Sequence, residues 1–320
     1  MTGPGVFRLN NGNEIPQIGL GCWQIPRLYC AELIYNAIKV GYRLFDGAQD
    51  YENEEEVGEG IKRAIEEDIV KREELTIVSK LWNSFHAKEN VKPACLKILE
   101  DLKIDYLDVL YMHFPICQKH VPIEEIYPPL NYCGDGDNWR YEDVPIIETW
   151  RAMEDLVKEG LVKSIGISNF NGALLQDLLR QCKIKPQILQ IEHHPYLSQP
   201  RLIEYCKSVG IQVTAYSSFG FQSYGTDIEV VKHIDSLLRH PTVNDIAKNH
   251  NKSPGSILLR WSTQREIAVI PKSSSIKRLA ENLEVNAFTL SDDEISEING
   301  LNRDLRFNDP WDWDKIPTFI

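Results

Sequence analysis

Short β-branched apolar runs alternate along this chain with longer amphipathic stretches, the pattern of successive βα units around a parallel sheet. The runs predict eight strands: Ile18 to Trp23, Tyr42 to Asp46, Leu75 to Lys80, Asp108 to His113, Ser164 to Ser168, Ile188 to Glu192, Gln212 to Ser217 and Ile267 to Pro271. Between them the apolar spacing turns helical, as in Ala31 to Val40, Glu54 to Asp68, Val91 to Leu102, Ile147 to Glu159, Ala173 to Gln181 and Pro200 to Val209. Eight strands with intervening helices predict an α/β fold closed into a (β/α)8 TIM barrel. Ahead of the first strand, Phe7 to Ile15 carries Asn11-Gly12 at its centre. That dipeptide predicts a hairpin in which both turn residues take positive φ, placed to close the bottom of the barrel.

Phe114 to Pro145, Ser218 to Pro241 and Arg303 to Ile320 are too long for ordinary βα connections. Long loops on the C-terminal side of barrel strands form a binding rim or lid. No repeat, low-complexity tract or Pro/Gly-rich linker divides the 320 residues, so 1–320 reads as a single domain.

Composition narrows the partners. The 42% hydrophobic content supports a substantial core, and 47 acidic against 35 basic residues give a net charge of -12. That balance argues against a nucleic-acid backbone or an anionic membrane as partner and leaves room only for a local basic pocket. The seven cysteines (Cys22, Cys30, Cys95, Cys117, Cys133, Cys182, Cys206) form no Cys-x-x-Cys, so neither a disulfide framework nor a zinc knuckle is indicated. No basic flank followed by an apolar stretch opens the chain, and no apolar run reaches membrane-spanning length. The expectation is a soluble cytoplasmic protein, monomer or homodimer, acting on a small molecule.

Four polar residues stand at or just past the ends of predicted strands: Asp46, Tyr51, Lys80 and His113. A tyrosine, with a reference pKa of about 10, needs help to give up a proton near neutral pH. A lysine ammonium beside it favours the phenolate, an aspartate holds that lysine charged, and a histidine opposite orients a carbonyl oxygen. Such a set is a general acid aimed at a carbonyl. It contains no hydride donor, so the electrons must come from a cofactor. At the eighth strand, Lys272 is followed by the hydroxyls of Ser273 and Ser274, and Arg278 sits where the next helix begins, a good arrangement for a phosphate. Gly19-Leu20-Gly21 lacks the third glycine of a Rossmann fingerprint.

Gly41-Tyr42-Arg43-Leu44-Phe45-Asp46 through Tyr51 to Gly58, the strands ending in Lys80 and His113, Ser168-Asn169 and the run from Lys272 to Asn282 together resemble an aldo-keto reductase, nearly end to end. Within that family the chain is most similar to the xylose reductases of yeasts and fungi. That narrower likeness rests on Asp50 before Tyr51, the loop Tyr132-Cys133-Gly134-Asp135-Gly136, and the tail from Leu305 to Asp314. The resemblance implies an extended NADPH, bound without a Rossmann fold, whose hydride goes to a carbonyl carbon. It implies Tyr51 as proton donor, Lys80 and Asp46 as its tuning pair and His113 as substrate orienter. On the cofactor side it implies Tyr216 stacked on the nicotinamide, with Ser168, Asn169 and Gln190 on the carboxamide. Ser217, Phe219 and Gln222 would follow the pyrophosphate, Lys272, Ser273, Ser274 and Arg278 the ribose and its 2′-phosphate, and Glu281 and Asn282 the adenine.

On the substrate side, Trp23, Trp82 and Phe114 supply apolar walls, Trp23 reaching the cofactor as well. Asp50 and Asn308 suit the hydroxyls of an open-chain sugar, which points to D-xylose reduction to xylitol. Where family members that also use NADH resemble one another in an Asn and a Glu, this chain reads Ser274 and Thr226, with Asp227 and Glu229 nearby. NADPH is therefore expected, with NADH possible. Three other readings remain in view. One is reduction of other aldehydes or ketones. A second is a non-catalytic NADPH-binding subunit. The third is a metal-dependent hydrolase built on His113, His193, His194 and Asp46; against it, the first strand has no His-x-His, and adjacent histidines on a strand face opposite ways.

Overall fold

The computed structural model describes residues 5–128, 130–132, 139–224 and 234–319. β1 (Val6–Arg8) and β2 (Glu14–Pro16) form an antiparallel hairpin. Eight parallel strands follow: β3 (Leu20–Gly21), β4 (Leu44–Asp46), β5 (Thr76–Leu81), β6 (Leu107–Met112), β7 (Val162–Ser168), β8 (Ile188–Glu192), β9 (Gln212–Tyr216) and β10 (Ala268–Val269). Sequence neighbours are sheet neighbours throughout. The ring closes where Gly19 N donates to Val269 O at 2.8 Å and Val269 N to Gln17 O at 2.9 Å. Each predicted strand coincides with one of the eight.

Outside the strands lie α1 (Arg27–Val40), α2 (Glu54–Glu66), α3 (Lys88–Leu102), α4 (Ile146–Lys158), α5 (Gly172–Gln181), α6 (Pro200–Ser208), α7 (Pro241–His250), α8 (Pro254–Thr263), α9 (Ile276–Leu283), α10 (Asp292–Asn299) and the short α11 (Pro310–Asp314). Side-chain oxygens of Asn171, Ser253, Ser275 and Ser291 cap α5, α8, α9 and α10 by accepting from the first-turn amides. α1 begins at Arg27, ahead of the predicted Ala31; its first turn carries Leu28 and Tyr29, which are 83% and 63% exposed and so hide that turn from an amphipathic pattern.

The hairpin forms, but its turn differs from the expectation. Only Gly12 takes positive φ, at 89°. Gly12 N donates to Leu9 O at 3.0 Å and Leu9 N to Asn13 O at 2.8 Å. This is a three-residue loop, a tight turn followed by a left-handed glycine, so Asn11 is spared the strained conformation. Its side chain instead donates to Ser164 Oγ at 3.0 Å, while Asn10 Nδ2 donates to Pro186 O at 2.9 Å. Those bonds press Leu9 and Ile15 into the barrel against Leu44, Val78, Val109 and Ile188. The Tyr111 ring fills the next layer. A Cβ on Gly166 of β7 would meet that ring at 2.6 Å, so the glycine makes the space. With the bottom plugged, the barrel opens at the strands' C-terminal face.

Candidate active site

Asp46 ends β4, Lys80 is next to last in β5, and His113 is the first residue past β6, so parallel strands bring all three to one face. Tyr51 comes from another kind of element. After β4 the chain makes a single 3-10 turn, Gln49–Tyr51. Gln49 ties that turn to the β5 exit, accepting from Trp82 N at 2.7 Å. Asn53 ties it to the β3 exit by donating to the carbonyls of Cys22 and Ile25 at 2.9 and 3.1 Å.

Lys80 is completely buried, and each of its three ammonium hydrogens has an acceptor: Asp46 Oδ1 at 2.5 Å, Gly47 O at 2.8 Å and the Tyr51 hydroxyl at 3.0 Å. Asp46 Oδ2 accepts in turn from Gln190 Nε2 at 2.7 Å. A buried charge persists only if paired and hydrogen-bonded, and this pair meets both conditions with one donor left for the phenol. The phenol oxygen thus accepts from Lys80 and keeps its own O–H for a ligand.

In one respect the electrostatics reverse the expectation. Enclosure, followed by the carboxylates of Asp46 and Asp50, pushes the Tyr51 phenol well above its ordinary range, and Lys80 does not overturn this. The resting group is a phenol, the state a proton donor requires. The ammonium matters once the proton has left.

Behind β5 lies a carboxyl the sequence reading passed over. Glu54, the first residue of α2, accepts from Ser79 Oγ at 2.5 Å, while its second oxygen is buried without a partner among the described residues. Burial first, then Asp101 and Asp50, push it up to about 8, against the Ser79 hydroxyl and Lys80. An unfolded glutamate releases its proton near pH 4.3, about four units lower, so across that window the folded chain holds a proton the unfolded chain has lost. Stability contributed by this group therefore falls as pH rises, and levels off above about pH 8. Glu54→Gln, neutral throughout, is expected to match the unmodified protein near pH 4.5 and to exceed it by a few kcal/mol, about 2 to 4, near pH 8.5. Urea unfolding at both pH values checks this; a difference that does not change with pH would refute it.

The four residues border a cavity of about 600 Å³ at the top of the barrel, Lys80 from behind its wall and the other three directly. Trp23, Asp50, Trp82, Phe114 and Asn308 line it too. The Tyr51 and His113 rings meet edge-on with centroids 6.0 Å apart, and His113 stacks on Phe114 at 4.9 Å. His113 Nδ1 and Asp50 Oδ1 approach to 3.1 Å without the alignment a hydrogen bond needs, so both atoms are buried with unused capacity. All three long segments reach the cavity: the first through Leu130, Asn131 and Trp139, the second through Ser218 to Gly220, Gln222 and Tyr224, the tail through Asn308 and Trp313. The rim expectation holds for them. Cys133 to Gly136, and Thr226, Asp227 and Glu229, lie outside the described residues.

Ser168, Asn169, Gln190, Tyr216, Ser217, Phe219, Gln222 and Lys272 line the same space. Asn169 Nδ2 donates to His113 O at 2.9 Å and to Ser168 Oγ at 3.1 Å, and Ser168 Oγ donates to Gln190 O at 3.1 Å. With those donors used, Ser168 and Asn169 offer a ligand only lone pairs, which fits the NH₂ of a carboxamide. Ser218 adds a buried hydroxyl without a partner among the described residues. Ser273, Ser274, Arg278, Glu281 and Asn282 lie beyond the cavity, on β10's exit and α9. There Ser273 Oγ accepts from Arg278 Nε at 3.3 Å and Ser275 N at 3.2 Å, with Lys272, Ser274 and Arg278 exposed around the helix start. Asn282 is 7% exposed and turned toward Tyr42. His193 stacks on Trp261 at 4.7 Å while His194 meets Glu192 at 2.8 Å, so the adjacent histidines serve different neighbours.

Tyr224, Trp139 and Trp313 were not among the expected site residues, though all three lie in the long segments expected to form the rim. Tyr224 shares a 2.8 Å hydrogen bond with Ser217 and packs 5.4 Å from Trp23; Trp139 stacks on Trp313 at 5.9 Å. Aromatic residues in the long segments were the only available signal.

Known proteins supply an independent measure. The model of the Aldo/keto reductase family matches residues 11–303. The chain is 61% identical, over the full length of both, to the NADPH-dependent D-xylose reductase of Candida boidinii. It is 57% identical, over 100% of its own length and 99% of the other's, to the NADH-dependent D-xylose reductase of Candida parapsilosis. Among solved structures, a Bombyx mori aldo-keto reductase in complex with NADP superposes with a TM-score of 0.88 at 36% identity, covering 100% of this chain and 99% of that one. With a family model over most of its length and relatives of this closeness, the chain belongs to the aldo/keto reductase family.

Proposed function

We propose that this protein reduces the aldehyde of open-chain aldoses, chiefly D-xylose to xylitol, with NADPH as hydride source and Tyr51 as proton donor. One observation carries the reading: the phenol faces the cavity with its oxygen 3.0 Å from a Lys80 ammonium that is itself buried and paired. When bound, the nicotinamide supplies a hydride to the carbonyl carbon. The protein does the rest. Tyr51 protonates the carbonyl oxygen as charge develops there, and Lys80, held by Asp46, stabilises the phenolate left behind. His113 orients that oxygen, and Trp23, Trp82 and Phe114 keep water from the reacting centre.

On the cofactor side, the Ser168 and Asn169 lone pairs suit the carboxamide and the Tyr216 ring suits the nicotinamide face. Gln190 acts chiefly through Asp46, to which its amide nitrogen is committed. Ser217, Phe219 and Gln222 follow the pyrophosphate. Lys272, Ser273, Ser274 and Arg278 gather at the α9 N-terminus, where a 2′-phosphate finds charge-assisted partners, which favours NADPH while allowing NADH. Glu281 and Asn282 are assigned to the adenine end by the family resemblance. The whole site sits in one chain of 1–320, so it works in a monomer or a homodimer. No described helix is long and apolar enough to cross a membrane. Free thiols at Cys22, Cys30, Cys95, Cys117, Cys182 and Cys206 suit the reducing cytoplasm.

Steady-state assays on D-xylose, L-arabinose, D-glucose and butanal with each cofactor test the proposal. The pentoses should be reduced best and kcat/KM should favour NADPH. Binding of NADPH with no aldehyde turnover would leave a binding subunit instead. Asp50→Ala is expected to lower kcat/KM for D-xylose about tenfold more than for butanal, since only the sugar offers hydroxyls to the carboxylate. Equal losses on both would remove Asp50 from the sugar site.

A further inference from the structure

Glu192, the last residue of β8, is fully buried and has no part in the chemistry described above. Its two carboxylate oxygens accept two successive backbone amides of the C-terminal tail: Phe307 N on Oε1 at 2.8 Å and Asn308 N on Oε2 at 2.9 Å. His194 Nε2, 2.8 Å from Oε1, fixes the carboxylate from the other side, and the His194 and Phe307 rings pack with centroids 5.1 Å apart. Upstream, Arg303 N and Leu305 N both donate to Tyr196 O, at 3.1 and 3.0 Å. The tail is thus laid along the segment leaving β8, and the clamp ends on Asn308, one of two tail residues that line the cavity.

We propose that Glu192 is a positioning residue for sugar selectivity: by clamping the amides of Phe307 and Asn308 it aims the Asn308 carboxamide at the substrate's hydroxyls. The inference rests on the reading of Asn308 as a hydroxyl-binding group. Asn308 Nδ2 donates to the Tyr216 hydroxyl at 3.1 Å, which leaves a second N–H and the amide oxygen for a ligand. A carboxylate taking two amides makes charge-assisted bonds at two points and fixes the backbone between them. A carboxamide cannot replace it, because its NH₂ would oppose one of the two N–H groups. An unclamped Asn308 must be ordered again for each sugar bound, a cost that an aldehyde without hydroxyls never meets.

The test compares Glu192→Gln and Asn308→Ala with the unmodified full-length protein, using NADPH and the pair D-xylose and butanal. Glu192→Gln should lower the xylose-to-butanal ratio of kcat/KM about tenfold, mainly through the KM for xylose. Asn308→Ala should lower it at least as much. If only Asn308→Ala lowers the ratio, Asn308 binds hydroxyls without needing the clamp, and the proposal is overturned while the sugar reading stands. If neither variant does, the sugar reading of Asn308 fails and takes the proposal with it. Should Glu192→Gln not fold, hydrogen exchange in the unmodified protein decides: the Phe307 and Asn308 amides should exchange as slowly as β8, and rapid exchange there overturns the clamp.

Discussion

Tyr51→Phe is expected to lower kcat for aldehyde reduction by about a thousandfold while leaving NADPH affinity within about twofold of the unmodified protein. The substitution removes one oxygen and nothing else. Lys80 keeps Asp46 Oδ1 and Gly47 O, so the buried pair stays satisfied by two of its three acceptors. The ring keeps its edge-on contact with His113. What disappears is the only O–H at the cavity, among the described residues, that is backed by a buried cation able to take up the negative charge after transfer. The elevated phenol of the unmodified protein makes the contrast sharp, because nearly every molecule at neutral pH carries the proton to be given. Stopped-flow and steady-state kinetics with NADPH titration separate the two quantities. A loss of less than about tenfold would mean that water or His113 supplies the proton, and the general-acid assignment would be withdrawn.

What the chain disclosed of itself depended on the range of the interaction involved. β-branched runs bounded by helical spacing are local, and all eight strands could be read from them. Asp46, Lys80 and His113 were legible because a polar residue at a strand end is conspicuous against its apolar run, and parallel strands put such ends on one face. Pairings across the barrel leave no local mark. Gln190 and Asp46 are 144 residues apart, and nothing near either announces the 2.7 Å bond between them. Glu192 reaches residues 115 and 116 positions away, and in sequence it is only an acid closing a strand. The Tyr51 shift was illegible for a different reason. Its largest cause is enclosure, with Asp46 and Asp50 adding to it, and a sequence supplies the charges but not the depth. The hairpin turn failed on a smaller scale: Asn11-Gly12 allows a two-residue turn, but the Asn11 side chain is held at Ser164, a partner known only from the folded barrel.

The second large effect joins stability to catalysis. Lys80→Met is expected to lower kcat about a thousandfold and to destabilise the fold by about 3 to 5 kcal/mol, because it strands a buried carboxylate. Asp46 is 2% exposed, and without the ammonium it retains only the Gln190 amide. The two losses have different origins, and a double variant separates them. Adding Asp46→Asn removes the stranded charge and keeps an oxygen for Gln190 Nε2, so most of the lost stability should return. Turnover should not return, since neither the methionine thioether nor the asparagine amide can hold a phenolate in place of a cation. Urea unfolding and steady-state kinetics on the two single variants and the double variant give the full cycle. If Lys80→Met is as stable as the unmodified protein, Asp46 is not a charged partner at this site. If the double variant recovers activity along with stability, Lys80 contributes to the fold alone, and the phenol does its work without the ammonium.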